Sequence, residues 1–375
     1  LVAPQEFKGS LGPVEAAAAI AAGVRAALPD AEVIELPMAD GGPGTVAIVA
    51  NATGARLVQH TVTGPQGDPT EATYALLERN GMPPLAVIEA AAAAGLVLVP
   101  PERRDAARAT SRGIGEQIRH AVAQGAREVI VGVGGTGTND GGAGAAGALG
   151  LRLLDGVDTP LGRGGLALIG LARVEAGADP ADDVVRDLDV RIAVDVQNPL
   201  LGAAGATAVY GAQKGVRDWQ APAMNAALTR WADRIRLDLG ADLATRPGSG
   251  AGGGIPTGLL AACPRGRIES GAALVADAIG LRDAIAAADL VVTGEGAMDG
   301  QTGYGKSVAH VAMLAREAGV PCVAVAGIVE GLAAGILDAE ALAPTEADRP
   351  AALAAAATHA TAAATRLIHR VVAER

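Results

Sequence analysis

One order recurs along this chain and constrains its fold more than anything else. A short apolar run leads into a glycine-rich loop carrying an acidic or amide side chain, and a run with helical spacing follows. The order appears at Glu32–Leu36 before Ala39-Asp-Gly-Gly-Pro-Gly44, and at Glu128–Val133 before the run ending in Thr138-Asn-Asp-Gly-Gly142. It returns at Ala288–Thr293 before Gly294–Ser307. Strand, loop and helix in succession build a parallel α/β layer, whose ligand sites lie beyond the carboxyl ends of the strands. The clustering of the 52 glycines, rather than their number, carries this reading.

The opening portion predicts a helix over about Pro13–Leu28, with Pro13 in its first turn and Ser10 or Gly12 near its cap. The rhythm changes near Arg56. Leu57–Val62 and Glu71–Leu77 alternate in polarity around Gly64-Pro-Gln-Gly-Asp-Pro69, the pattern of an antiparallel hairpin. A helix over Ala107–Gln124 and strands at Glu128–Val133 and Val190–Val196 follow. The α/β alternation resumes with the strand Ala288–Thr293, the helix Ser307–Gly319 and the strand Val320–Ala326; a helix over Ala351–Glu374 closes the chain. The expected fold is therefore α/β with two α/β domains. A discontinuous Rossmann-like parallel-sheet domain, residues 1–63 plus 285–375, is interrupted by an inserted mixed α/β domain, residues 64–284. The active site is expected in the cleft between them.

At 375 residues, half of them hydrophobic, the chain can build two cores, and with aromatics at 2% those cores must be filled by small aliphatic side chains. A net charge of −11 argues against nucleic acid or an anionic membrane as partner. No apolar stretch is long enough to span a bilayer, and Cys263 and Cys322 lie too far apart for a metal-binding spacing. A reduced cytoplasmic setting and a monomer or homodimer are the expectation.

Gly300-Gln-Thr-Gly-Tyr-Gly-Lys-Ser307 matches the Walker A pattern, so Lys306 could face phosphate at a helix start. The strand before it is predicted to end near Thr293, leaving Gly294–Asp299 as extra loop, whereas a P-loop begins directly off its strand. Gly132-Val-Gly-Gly-Thr-Gly137 fits the dinucleotide pattern, which raises an alternative: an NAD-dependent dehydrogenase of a small hydroxy acid, with Asp155 or Asp158 on the ribose. Asn139 and Asp140 stand at the predicted start of the helix Ala143–Leu149, where Asp is either a helix cap or a ligand-facing group. Asp40 and Asp195 end apolar runs, Asn198 follows, and Lys214 lies in a Gly-flanked loop; Glu295 and Asp299 bracket a glycine turn with Gln301 and Thr302 beyond. Cations, carboxylates and a hydroxyl-orienting group are the ingredients of phosphoryl transfer. The five histidines have no ligand spacing, and there is no GxSxG nucleophile elbow.

Five blocks, in order and spanning nearly the whole chain, resemble the motifs of the type 1 glycerate kinases. They are Pro4-Gln-Glu-Phe-Lys-Gly-Ser-Leu11, Pro37-Met-Ala-Asp-Gly-Gly42, Gly134-Gly-Thr-Gly-Thr-Asn-Asp-Gly-Gly-Ala-Gly144, Asp195-Val-Gln-Asn-Pro-Leu-Leu-Gly202 and Thr293-Gly-Glu-Gly-Ala-Met-Asp-Gly-Gln-Thr302. The resemblance implies an ATP- and Mg2+-dependent kinase of D-glycerate, giving 2-phosphoglycerate rather than 3-phosphoglycerate, in glyoxylate, glycolate or sugar-acid breakdown; a related hydroxy acid is the alternative substrate. Mapped onto this sequence, Asp195, Asp40 and Lys8 become the catalytic candidates. Lys8, Ser10, Asp40, Gly41, Gly42, Asn139, Asp140, Asn198 and Lys214 become candidates for substrate, and Gly134, Gly135, Thr136, Gly294, Glu295, Gln301, Thr302 and Lys306 for ATP. Glu295 and Asp299 are the candidates for Mg2+. The chain departs from the family pattern at Gln5-Glu6, where Asp-Ser is more usual, at Pro43 in place of Glu, and at Ala297-Met298-Asp299-Gly300 in place of Arg-Ile-Asp-Ser.

Overall fold

A computed structural model describes residues 1–298, 307–343 and 345–373. The chain divides into two units, Leu1–Asp40 with Ala272–Arg375, and Gly41–Gly271. The sequence reading set the crossings later, near 63 and 285. The first moves to Gly41 because strand Arg56–Thr63 is antiparallel to Pro69–Arg79 in the second unit's sheet.

In the first unit, strands Val2–Pro4, Val291–Met298, Cys322–Val329 and Ala339–Ala341 form a parallel sheet in that spatial order. The expected strand at Glu32–Leu36 is extended backbone that pairs alongside without a full ladder: Val2 N donates to Ile34 O (2.8 Å) and Leu36 N to Val2 O (2.8 Å). Strand Val291–Met298 runs past the predicted end at Thr293. Gly294 and Glu295 are thus strand residues, in register with Val325 and Ala326. Pairing with a fully apolar neighbour imposes extension on a Gly-Glu-Gly stretch that has little β propensity of its own.

Helix Pro13–Ala27 starts as expected, with Gly12 at its cap and Glu15 accepting from Gly12 N at 3.0 Å. It packs against helix Ala356–Ala373 through small residues. A Cβ on Gly23 would meet Thr361 O at 2.3 Å, and Thr361 Oγ1 donates to Ala19 O at 2.9 Å. The single closing helix predicted over Ala351–Glu374 is two, Arg349–Ala354 and Ala356–Ala373, broken at Ala355 (φ −132°, ψ 43°).

The second unit holds a six-stranded mixed sheet. Arg56–Thr63, Pro69–Arg79 and Met82–Glu89 are antiparallel, whereas Met82–Glu89, Glu128–Gly132, Asp189–Ala193 and Arg267–Glu269 are parallel. The predicted hairpin is present in register, with Val58 opposite Tyr74 and Val62 opposite Thr70. Its core is built from Ile88, Val129, Val131, Ile192, Leu259 and Trp231, among others. Among the described residues, no helix is long and apolar enough to cross a membrane.

Candidate active site

In the first unit the carboxyl ends of the parallel strands open on a cavity of about 350 Å³. The opening strand runs into it: Gln5 N donates to Gly294 O (2.8 Å), and then the chain closes a tight loop in which Phe7 and Leu11 exchange backbone hydrogen bonds. Gly9 sits in that loop at φ +80°, where a side chain would be strained. Phe7 is buried and anchors the loop, Ser10 Oγ donates to Phe7 O (3.0 Å), and Lys8 is left exposed and lining the cavity. Asp40 enters from the end of the segment paired beside Val2–Pro4. Gln5 Nε2 donates to its Oδ2 at 2.9 Å, so an amide holds Asp40 where a second carboxylate would have repelled it. Glu295, buried at 7% exposure, lines the same cavity. Lys8, Ser10, Asp40 and Glu295, scattered in sequence, are therefore brought together.

Sequence reasoning missed the rest of this cavity. Ile328, Leu342, Ala343, Ala352 and Leu353 form an apolar wall, and Arg349 opens the helix beside it. Leu342, Ala343 and Arg349 lie between the predicted strand Val320–Ala326 and helix Ala351–Glu374, where no motif marked them, and Ala352 and Leu353 fall within that predicted helix. Asp299, Gln301, Thr302 and Lys306 lie outside the described residues. Among the described residues no cluster of three or more His, Cys, Asp or Glu side chains could hold a metal ion.

The loop after strand Glu128–Gly132, in the second unit, is built differently. The Gly41–Gly42 turn presses against it so closely that a Cβ on Gly132 would lie 2.0 Å from Gly41 O, and one on Gly134 would lie 2.9 Å from Gly42 Cα. Gly135 carries Pro43 against it, and Thr136 Oγ1 donates to Gly252 O at 3.0 Å. Asn139 Nδ2 donates to Thr207 Oγ1 (2.8 Å). The buried Asp140 carboxylate accepts from Ser111 N (2.8 Å), Ser111 Oγ (2.8 Å), Gly142 N (3.1 Å) and Gly144 N (3.2 Å). Burial raises the Asp140 pKa, and these hydrogen bonds oppose the rise. These contacts lie at the start of helix Ala143–Ala148, whose N-cap is Gly142.

Lys214, expected as a cation facing substrate, is buried instead, with Nζ donating to Thr138 O at 2.9 Å. Burial pushes its pKa down to about 7, with the Asp140 charge opposing. The dinucleotide pattern at Gly132–Gly137 is answered by the same bonds. Gly137 N is spent on Ala94 O, Gly141 N on Gly253 O, and Gly142 N and Gly144 N on Asp140, so these donors do not face a pyrophosphate.

Two further candidates are tied to other segments of the second unit or within their own loop. Asp195 Oδ1 accepts from Gly271 N (2.9 Å) and Ser270 Oγ (3.2 Å), which fixes the carboxylate's orientation. Asn198 accepts from the Tyr210 hydroxyl at 2.7 Å and donates to Ala204 O at 2.8 Å.

Comparison with known proteins gives one answer over the whole length. Residues 1–373 match the model of the glycerate kinase family. A glycerate kinase from Haemophilus influenzae is 40% identical over 327 residues, covering 87% of this chain and 85% of the relative. A glycerate 2-kinase from Escherichia coli K12 is 39% identical over 328 residues, with 87% and 84% covered. A crystal structure provisionally described as glycerate kinase 2 from Salmonella typhimurium LT2 superposes with a TM-score of 0.86 at 39% identity, covering 100% of this chain and 98% of that one.

Proposed function

The chain belongs to the glycerate kinase family and is a kinase, and on that premise we propose that it transfers the γ-phosphoryl group of ATP to the 2-hydroxyl of D-glycerate. The observation that carries the reading is the cavity of the first unit, where an exposed lysine, a serine hydroxyl and the carboxylates of Glu6, Asp40 and Glu295 meet at parallel strand ends in a chain matched to the family throughout. The 2-hydroxyl is favoured over the 3-hydroxyl because the Escherichia coli relative is a glycerate 2-kinase. The setting we propose is cytoplasmic breakdown of glyoxylate, glycolate or sugar acids, in keeping with two buried free cysteines.

Phosphoryl transfer asks little covalent chemistry of a protein; it needs the reacting oxygens held in line and the phosphate charge neutralised. Lys8 supplies the cation, paired with the glycerate carboxylate. Asp40, held by Gln5, orients the attacking hydroxyl and accepts its proton. Asp195, a catalytic candidate, and Asn198, a substrate candidate, lie in the second unit with side chains oriented by neighbouring donors, and Asp195 is the alternative acceptor of that proton. Mg2+ prefers oxygen ligands and usually takes one or two carboxylates together with substrate phosphates. The Glu295 carboxylate fits that requirement, and the ion would offset charge on the β- and γ-phosphates.

The test is a MgATP-dependent screen of small hydroxy acids, both stereoisomers of glycerate included, with the product identified by NMR. 2-Phosphoglycerate from D-glycerate is the expected result. 3-Phosphoglycerate would correct the regiochemistry, and turnover only with another hydroxy acid would correct the substrate.

A further inference from the structure

The cavity of the first unit has two chemically unlike halves. One is polar, with Gln5, Glu6, Lys8, Ser10, Asp40 and Glu295. The other is mainly aliphatic: Ile328, Leu342, Ala343, Ala352 and Leu353, with Arg349 on the same helix as the last two. Glycerate has a polar atom on each of its three carbons, so an aliphatic wall can offer it nothing, and a three-carbon acid fills little of 350 Å³. The ligand that uses both halves is amphipathic, with a flat apolar body joined to an anionic tail. We propose that the aliphatic wall seats the base of the nucleotide, with its phosphates directed toward the polar half. This rests on the kinase reading above and extends it to a subsite.

The wall is preformed. Leu342 and Ala343 follow strand Ala339–Ala341, and their backbones are fixed by Leu342 N to Ala326 O (2.8 Å) and Ala343 N to Gly327 O (3.2 Å). Helix Arg349–Ala354 brings Ala352 and Leu353 to the same wall. Leu342, Ala343 and Ala352 are buried, whereas Leu353 stands half exposed at 50%. An apolar side chain of that size left in water beside a cavity gains most from a ligand that covers it.

The floor must stay bare. A Cβ on Gly327 would meet Gly296 O at 2.3 Å, so the two adjacent strands pack too closely at these glycines for a side chain. Among the described residues the one aromatic side chain lining the cavity is Phe7, which is buried at 1% exposure. The base contact is therefore aliphatic on at least one face, which favours a purine's larger apolar area without reading its edge closely.

The experiment measures binding of ATP and of inorganic tripolyphosphate by calorimetry, and KM for ATP and for glycerate, in the wild type, Leu353→Gln and Ala352→Phe. Leu353→Gln is expected to weaken ATP about fivefold and Ala352→Phe at least tenfold, with KM for glycerate and tripolyphosphate binding within twofold of wild type. Unchanged ATP binding in both variants overturns the proposal. So does a rise confined to KM for glycerate, which would give the cavity to the acid, or an equal loss of tripolyphosphate, which would show that the wall does not act through the base. A protein that binds ATP in this base-dependent way but phosphorylates no hydroxy acid would refute the glycerate reading and leave the subsite standing. One that binds no nucleotide would refute both.

Discussion

The loops of the two units look alike in sequence and behave in opposite ways. In the first unit the chain ends its strands with polar side chains that line an open cavity: Lys8 is exposed there, and Asp40 and Glu295 border the same space. In the second, the loop from Gly132 to Gly144 turns its polar groups inward. Asp140 gathers four donors, Lys214 is buried on Thr138 O, and Asn139 Nδ2 donates to Thr207 while its Oδ1 stays buried without a hydrogen-bond partner among the described residues. A glycine-rich loop can thus hold a ligand or hold itself, and the residue types do not say which. Burial of the side chains decides.

Substitutions in the two units should therefore separate activity from stability. The largest effect is expected from Asp40→Asn, which keeps shape and removes the proton acceptor. kcat should fall by about 10²–10⁴-fold with the thermal midpoint nearly unmoved; a rate within a few-fold of wild type would take the role from Asp40. Asp140→Ala should do the reverse. It strands four buried donors, at a cost of about 3 kcal/mol, lowering Tm by roughly 6–12 °C in calorimetry, with KM for both substrates retained in the folded fraction. A loss of activity without loss of stability would return Asp140 to the substrate.

Lys214 gives a smaller, pH-dependent signature. Its folded pKa of about 7 lies below the ordinary lysine value of 10.5, so between those limits the unfolded chain binds more protons and stability rises with pH. The slope can reach about 1.4 kcal/mol per pH unit. Denaturant unfolding at pH 7.5 and 9.5 should show that rise in the wild type and a flatter response in Lys214→Met. The same rise in both would mean that Lys214 is not the group titrating.

The finest test uses one cysteine in each unit, Cys322 in the first and Cys263 in the second, both buried with pKa values pushed up to about 12. Neither thiol should react at pH 8 in the native protein. Asp140→Ala should speed alkylation of Cys263 and leave Cys322 at its wild-type rate, as followed by mass spectrometry; equal acceleration would show that the two units open together.

The alternating hairpin and the apolar strands were legible because their patterns are local. The α/β class and the family blocks followed from the same strand-end loops. What was not legible depends on partners distant in sequence. Gly294 to Met298 lack strand propensity and are extended only because Cys322–Val329 lies alongside. The Gly41–Gly42 turn belongs with the second unit because it packs on Gly132 and Gly134, more than 90 residues on. Lys214 read as a ligand cation because no sequence pattern reports that a lysine is buried. Leu342 and Ala343 of the aliphatic wall lay in a stretch too irregular to read, where strand Ala339–Ala341 is only three residues long, and Ala352 and Leu353, inside the predicted closing helix, carried no functional pattern.

The packing of helix Pro13–Ala27 on helix Ala356–Ala373 has a consequence for synthesis. Thr361 and Thr365 hydrogen-bond to Ala19 and Gly23 across 342 residues of chain. At roughly 5–20 residues per second, the first helix waits on the order of 15–70 s after translation before its partner is made. The second unit, Gly41–Gly271, is contiguous and can complete its sheet during that interval. Ile20 and Val24, buried in the finished unit with residues of the closing helix, stay without that cover until that helix is made.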